Sequence, residues 1–421
     1  MFQKISERFR NKTDEQYILA LDVGTEFVKA LIARVETDEE SGKAQARIIG
    51  VGRKHQNLSD MHSGAIADIA AVVDNCEAAL GEAEEMAGVS AESAVMGIAG
   101  ELVKGNTTTI KYRRADSNKE MDNKELQEII EQVQKRALER AKAELAWESG
   151  LDDIEITMVN AAVVSVSVDG YKVTNPVGFK GKDVSVQLFC AFAPMVHIGA
   201  LERVALDLNL NLLAVTAEPF AVAKSVGSDV SESFSAIFVD VGGGTTDIAL
   251  VNDGGVEGTK MFGIGGRSFT SSVAKQLNLT FEQAESRKCN LSDDGTDEEA
   301  RKAIVPTVKV WLSGVELALS EFDSIDQLPS KILLCGGGSG LPYVPRALES
   351  KKWREQVPIS DSIEVKHIEP SQVDRVFDDT GKVSDYSYIT AMGLLNVGLD
   401  AIRTESPSQK FINKINQAMQ S

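Results

Sequence analysis

The stretch FVDVGGGTTDIALV, residues 238–251, restricts the fold more than any other part of the chain. Two apolar runs flank three glycines, two threonines and an aspartate pair, so the segment reads as a buried hairpin with a polar tip. Gly242, Gly243 and Gly244 carry no Cβ to block a bulky anion, and they permit backbone with φ > 0. Thr245 and Thr246 add hydroxyl donors. Asp240 and Asp247 would repel a phosphate set directly against them. A hydrated Mg²⁺ between acid and phosphate removes that conflict, since Mg²⁺ keeps several waters and takes few carboxylates.

A plain glycine-rich hairpin would look similar, but the pattern recurs. LDVGTEFVKALI (21–32) offers Asp22, Gly24 and Thr25 in the same arrangement, with Lys29 beyond them reading as a surface lysine. LLCGGGSGLP, ending at residue 342, closes an apolar strand and opens a helix, a setting that suits the sugar and base of a nucleotide or a phosphate at a helix N-terminus. Strand signals at 17–24, 27–36 and 46–54, a helical pattern at 65–88 and a strand at 93–100 form one unit. The hairpin segment 235–266, helices at 268–276, 281–289 and 297–322, and a strand at 331–338 form a second. The expected architecture is a duplicated α/β fold with a cleft between its halves.

Region 101–195 differs in character: a long charged helix (122–145) precedes three strand-like runs broken by Gly and Pro, as in a small α+β insertion. The expected division is an N-terminal extension (1–16), a first lobe (17–100 and 196–230), the insertion (101–195), a second lobe (231–265 and 329–402) with a small subdomain (266–328), and a linker with an amphipathic helix (403–421). Trp147, Trp311 and Trp353 read as structural.

Composition excludes several functions. A net charge of −19 argues against nucleic-acid binding, which needs a basic face. Four cysteines without CxxC spacing read as reduced thiols, and four histidines form no HxxxH pattern, against a metalloenzyme. No apolar run approaches the roughly 20 residues of a membrane span. The expected location is cytoplasmic.

These motifs, in this order, resemble the actin-like ATPase superfamily, which includes DnaK-type chaperones, sugar kinases, MreB, FtsA and PilM. LDVGTEFVKALI is similar to its first phosphate motif, FVDVGGGTTDIALV to the second and LLCGGGSGLP to the adenosine motif. TAEPFAVA (216–223) and YITAMGLLNVG (388–398) resemble the helices at the interdomain hinge, and FEQAESRK (281–288) the adenosine-contacting helix. The resemblance implies a two-lobed ribonuclease H-like fold binding ATP and Mg²⁺. Gly24, Thr25, Gly242, Gly243, Gly244 and Thr245 would contact phosphates, and Asp22 and Asp240 would hold the metal through water. Glu285, Lys288, Gly336, Gly337 and Gly338 would surround adenosine. Glu218 would orient the hydrolytic water; the alternative is a helix N-terminal acid stabilised by the dipole. At most a slow ATPase is implied. The absence of a substrate-binding domain after residue 400 disfavours a chaperone, and no second acid in a sugar pocket can be picked out for a sugar kinase.

Within the superfamily, the insertion with its GYKVTNPVGFKG run and the helix at 64–74 resemble FtsA, the division protein that tethers FtsZ filaments to the membrane; PilM, a type IV pilus assembly protein, is next. Between Cys289 and Trp311 the chain is short and acidic, where FtsA carries additional strand-forming sequence and PilM is compact. In TESPSQKFINKINQAMQS (404–421), Phe411, Ile412, Ile415 and Met419 share a helical face beside Lys410 and Lys414, as in a membrane-surface anchor. Phe2, Ile5 and Phe9 could form a second. The implied partners are the FtsZ C-terminal tail, further copies of the chain in filaments, other divisome proteins and the inner face of the cell membrane. The alternative is a PilM-like scaffold binding a peptide of an inner-membrane partner.

Overall fold

Long runs of buried apolar residues, uninterrupted rather than alternating, build the centres of two sheets. Strand β1 (Gln16–Val23) is buried from Ile18 onward and pairs antiparallel with β2 (Phe27–Thr37), which pairs with β3 (Ala44–His55). A short pair, β4 (Met61–His62) and β5 (Ala65–Ile66), leads to helix α1 (Ile69–Ala87). Asp68 caps α1 by accepting from the Ala71 N–H, and Gly88 ends it at φ 68°. Its buried face, Val72, Cys76, Ala79, Leu80 and Ala83, keeps helical spacing and packs on β2 and β3. Strand β6 (Ser93–Ile98) then pairs parallel with β1. The structure is a computed structural model that describes residues 16–150, 154–227, 234–291, 297–322 and 325–402. The segments 1–15 and 403–421, which carry both anchoring expectations, lie outside the described residues.

The insertion consists of β7 (Lys104–Arg113), helix α2 (Asn123–Ser149), β8 (Ile156–Val168), β9 (Tyr171–Lys172) and β10 (Asp183–Pro194). Leu126, Ile129, Ile130, Val133 and Ala137 of α2 form a separate core with Val166, Val184, Val186 and Leu188. Helix α3 (Met195–Asp207), β11 (Asn211–Ala217) and α4 (Glu218–Ser225) return the chain to the first sheet. The second half repeats the first: β12 (Ala236–Val241), β13 (Thr246–Asn252) and β14 (Gly255–Phe262) form a meander, followed by helices α5 (Gly266–Leu277), α6 (Phe281–Cys289) and α7 (Glu298–Ser320). Strand β15 (Lys331–Cys335), helix α8 (Tyr343–Glu349), β16 (Glu364–His367), β17 (Val376–Asp378) and helix α9 (Ile389–Ile402) complete the described chain.

The first sheet runs β11-β6-β1-β2-β3-β17, and the second runs β16-β15-β12-β13-β14-β7-β10-β8-β9. Each contains a three-strand meander followed by two parallel strands, in the same spatial order. The duplicated actin-like α/β fold expected from the motifs is present.

Two features depart from the expected division. The insertion follows a first-lobe strand in sequence, yet β7 pairs with β14, so its sheet extends that of the second lobe. The stretch from Ile368 onward, assigned by sequence to the second lobe, packs into the first-lobe core, because β17 pairs with β3 and α9 lies across β1 and β6. The unit 266–322 contains the three expected helices and no strand among the described residues. Trp311 and Trp353 are buried as expected, but Trp147, near the end of α2, is 85% exposed and does not serve the core. Helix α7 is long and apolar enough to cross a bilayer by length and composition. Its face from Ala300 through Ile304, Trp311 and Val315 to Leu319 is nevertheless buried in the second-lobe core.

Candidate functional site

The two polar hairpin tips meet. In the β12–β13 turn, Gly242 N–H donates to the Thr245 carbonyl at 2.9 Å. The carbonyls of Gly242 and Gly243 accept from the Gly266 and Arg267 N–H groups, at 2.9 and 2.8 Å, so the start of α5 fixes the turn. None of Gly242, Gly243 and Gly244 has positive φ, so the turn does not use the left-handed backbone that glycine permits. Glycine is required for approach instead. A Cβ on Gly243 would lie 2.7 Å from the Glu26 Cβ, and one on Gly244 2.8 Å from Thr25 Oγ1. Left-handed backbone occurs at Gly336, with φ 79°, where a Cβ would also fall 2.0 Å from Asp240 Oδ1.

These turns, the Gly336–Gly338 segment, α4 and α6 enclose a cavity of about 350 Å³. Of the expected residues, Asp22, Gly24, Thr25, Glu218, Asp240, Gly242, Gly243, Thr245, Glu285, Lys288, Gly336, Gly337 and Gly338 line it. Gly244 does not; it packs on Thr25 behind the turn. Asp247, the second acid of the glycine turn, lines it too, and the structure adds Lys29, Arg53, Arg267, Phe269, Tyr386 and Thr390. Lys29 is not the surface residue read from sequence, since its side chain is 13% exposed and its Nζ lies 2.9 Å from Asp22 Oδ2. The pairing register, which sets Lys29 opposite Asp22, is the signal that would have found it. Cys76, Cys190 and Cys335 are buried thiols, whereas Cys289 is exposed at the cleft.

At the end expected for adenosine, Lys288 Nζ donates to Glu285 Oε2 at 2.8 Å and to Thr270 Oγ1 at 2.9 Å. Burial raises the Glu285 carboxyl, but Lys288 and the hydroxyl of Thr270 outweigh it and hold it below the usual range. A capping box between Thr280 and Gln283 starts α6 and orients both side chains. Tyr386 stacks on His367 with centroids 4.1 Å apart, and the His367 ring meets the Ser339 carbonyl at 3.1 Å.

Electrostatics at the other end are dominated by acids. Burial pushes Asp240 up, partly offset by the Thr390 hydroxyl and Lys29. Burial, then Asp240, pushes Asp247 up to about 8. Burial, then Asp22, Asp247 and Asp240, pushes Glu218 well above the carboxylate range. Glu218 also stands in the first turn of α4, the position that the alternative reading gave it. Gly97 provides its space, since a Cβ there would lie 2.7 Å from Glu218 Cγ. Burial works against the Lys29 ammonium, but Asp22 and Asp240 outweigh it and raise it above the ordinary lysine range.

The donor set fits a hydrated divalent cation. Asp247 Oδ1 is buried without a hydrogen-bond partner, and its carboxylate shares the cavity with Asp22, Asp240 and Glu218. Among the described residues no three His, Cys, Asp or Glu side chains are grouped to ligate a metal directly.

Comparison with known proteins follows the same lines. Residues 237–393 match the family model for cell division protein FtsA. The chain is 25% identical over 351 residues to cell division protein FtsA of Pseudomonas aeruginosa, covering 76% of this chain and 78% of that one. It is 23% identical over 359 residues to the Bacillus subtilis protein, covering 79% and 75%. Among solved structures, a chain of the PilM-PilN type IV pilus biogenesis complex superposes with a TM-score of 0.64 at 18% identity, over 91% of this chain and 98% of that one. At that identity the likeness speaks for the fold. The chain is similar in sequence to the FtsA cell-division proteins and has the actin-like fold.

Proposed function

We propose that this protein binds ATP with Mg²⁺ in the interlobe cleft, polymerises in response, and tethers FtsZ filaments to the cytoplasmic membrane while recruiting other division proteins. The observation that carries the nucleotide reading is the cluster of Asp22, Glu218, Asp240 and Asp247 beside two glycine turns, with Lys29 as the ammonium among them. Such an arrangement accepts polyphosphate only together with a cation.

Backbone N–H groups around Gly24, Gly242 and Gly243, with the Thr25 and Thr245 hydroxyls, orient the phosphates. Asp22 and Asp240 hold the hydrated Mg²⁺, with Asp247 Oδ1 as a further acceptor for its waters. When bound, the metal neutralises charge on the phosphates. Glu218 orients the attacking water; burial and the neighbouring carboxylates disfavour its charged form, which a bound cation would favour. Turnover is slow, and ATP acts chiefly as a conformational switch. Lys288, Glu285, Gly336, Gly337 and Gly338 would surround the adenosine.

The membrane and FtsZ parts of the proposal rest on the sequence of 404–421 and on relatedness to FtsA. A PilM-like scaffold, which would bind a peptide of an inner-membrane partner, is the second reading; the unit at 266–322, strand-free among its described residues, is what favours it. Calorimetric titration with ATP, with Mg²⁺ or with EDTA, tests the cleft: binding that is indifferent to chelation would sink the metal-bridged reading. Liposome sedimentation of the full chain and of a variant lacking 405–421 tests the tether. Equal sedimentation of the two would remove it, and pull-down with an FtsZ C-terminal peptide decides the partner.

A further inference from the structure

One ion pair at the mouth of the cleft has no part in the chemistry above. Glu26 lies in the turn between β1 and β2, and Arg267 is the second residue of α5, so the two belong to opposite lobes. Arg267 Nε lies 2.6 Å from Glu26 Oε2, with the side chains 13% and 17% exposed. The other carboxylate oxygen of Glu26 meets His55 Nε2 at 2.8 Å, so both of its oxygens are engaged. The rest of the Arg267 guanidinium donates to the carbonyls of Gln56, Asn57 and Leu58 at 3.3 to 3.4 Å.

The backbone ties the same residues to the phosphate turns. The Arg267 N–H holds the Gly243 carbonyl at 2.8 Å, and Gly243 lies against Glu26 so closely that a Cβ would touch it. Arg267 thus grips the second-lobe turn with its backbone and the first-lobe turn with its side chain. Elsewhere the lobes are joined by chain crossings and by the packing of α4 on β12, β13 and β14. Near the mouth, the Gly263 N–H also donates to Glu101 Oε1 at 2.6 Å.

We propose that Glu26 and Arg267 form a latch that holds the two phosphate turns together and sets how long a nucleotide stays bound. The nucleotide part rests on the ATP reading above. A ligand beneath both turns leaves when they part, and parting them breaks a shielded ion pair and the guanidinium's carbonyl contacts at once. The latch therefore acts on dissociation, and its two members act as a unit.

The test uses Glu26→Gln, Arg267→Gln and the double variant of the full chain, with N-methylanthraniloyl-ATP displaced by excess ATP in stopped flow. Each single change speeds dissociation about tenfold, and the double variant is no more than about twofold faster than the faster single, because either removal already opens the latch. Deuterium uptake at 56–64 and 263–268 rises in both variants without any nucleotide. Dissociation within about twofold of wild type in both singles, or effects that multiply in the double, overturns the proposal. If the wild type does not bind the probe, the nucleotide reading fails; exchange then decides the latch alone, and unchanged protection at both segments overturns it. Glu26→Gln preserves side-chain volume, so it remains decisive if Arg267→Gln does not fold.

Discussion

The hairpins β1–β2 and β12–β13 have the same shape and opposite charge logic. Across the first, Asp22 faces Lys29 in register; across the second, Asp240 faces Asp247. Opposite charges on facing positions stabilise a sheet and like charges destabilise it. The first hairpin is therefore neutralised by its own sequence. The second relies on help from outside: Lys29 reaching from the first lobe, the Thr390 hydroxyl on Asp240, and the Thr245 hydroxyl 3.0 Å from Asp247 Oδ2. In the proposed function the remaining help is the hydrated Mg²⁺. One hairpin brings a cation to the site and the other creates the demand for one.

The largest effect is expected at Lys29. Lys29→Met leaves Asp22, which is 3% exposed, without its counter-ion and removes a partner of Asp240. Breaking a buried pair on one side costs about 3–5 kcal/mol, to be read from urea unfolding. A loss under about 1 kcal/mol would show that the first hairpin does not depend on its pair. Asp247→Asn is expected to act in the opposite direction. The folded-state pKa of Asp247 is raised, to about 8, so the folded protein holds a proton that the unfolded chain has already lost. The stability this gives is complete below the unfolded pKa near 4 and is lost as pH rises through about 8. With EDTA present, the wild type should lose about 2–4 kcal/mol between pH 5 and pH 8, and Asp247→Asn should lose clearly less. Parallel losses in the two proteins would assign the titration elsewhere. Mg²⁺ and ATP at about a hundredfold over their dissociation constants should then restore about 2.7 kcal/mol to the wild type at pH 8. The gain should shrink in Asp240→Asn, as thermal melts would show.

The fold was readable because its evidence is local. Apolar runs bracketing Asp22-Val-Gly-Thr and Asp240-Val-Gly-Gly-Gly specify two hairpins, and the helical spacing in 69–87 and 298–320 needs no knowledge of partners. The cleft residues were largely readable for the same reason, as they cluster within a few positions of each glycine turn. What escaped depends on register or distance along the chain. Lys29 becomes a site residue only through the pairing that sets it beside Asp22. Glu26 and Arg267 are 241 positions apart, and nothing near either one names the other. The return of Val376–Asp378 to the first sheet, and the joining of β7 to β14, are long-range pairings that composition does not encode. Gly244 was misplaced because three adjacent glycines look alike until the partner turn is packed against them.

The smallest expected effect concerns how the second hairpin is anchored. Trp311, fully buried on α7, donates from Nε1 to Thr246 Oγ1 at 2.8 Å, and that hydroxyl donates to the Ile264 carbonyl at 2.7 Å. The turn of the first hairpin has its own threonine, Thr25, which accepts a longer bond from the Gly64 N–H, at 3.3 Å, within the cavity wall. Trp311→Phe removes one donor and leaves Thr246 its bond to Ile264, so it should cost about 1 kcal/mol for the hydrogen bond, with loss of ring area in addition. Thr246→Val should cost more, about 1–3 kcal/mol, because it strands the indole N–H and deprives the carbonyl as well. Their combination should cost less than the sum, since removing both ends of a buried bond leaves no orphan between them. Additive losses would mean that the Trp311–Thr246 bond contributes nothing measurable and that Thr246 is held through the Ile264 carbonyl alone.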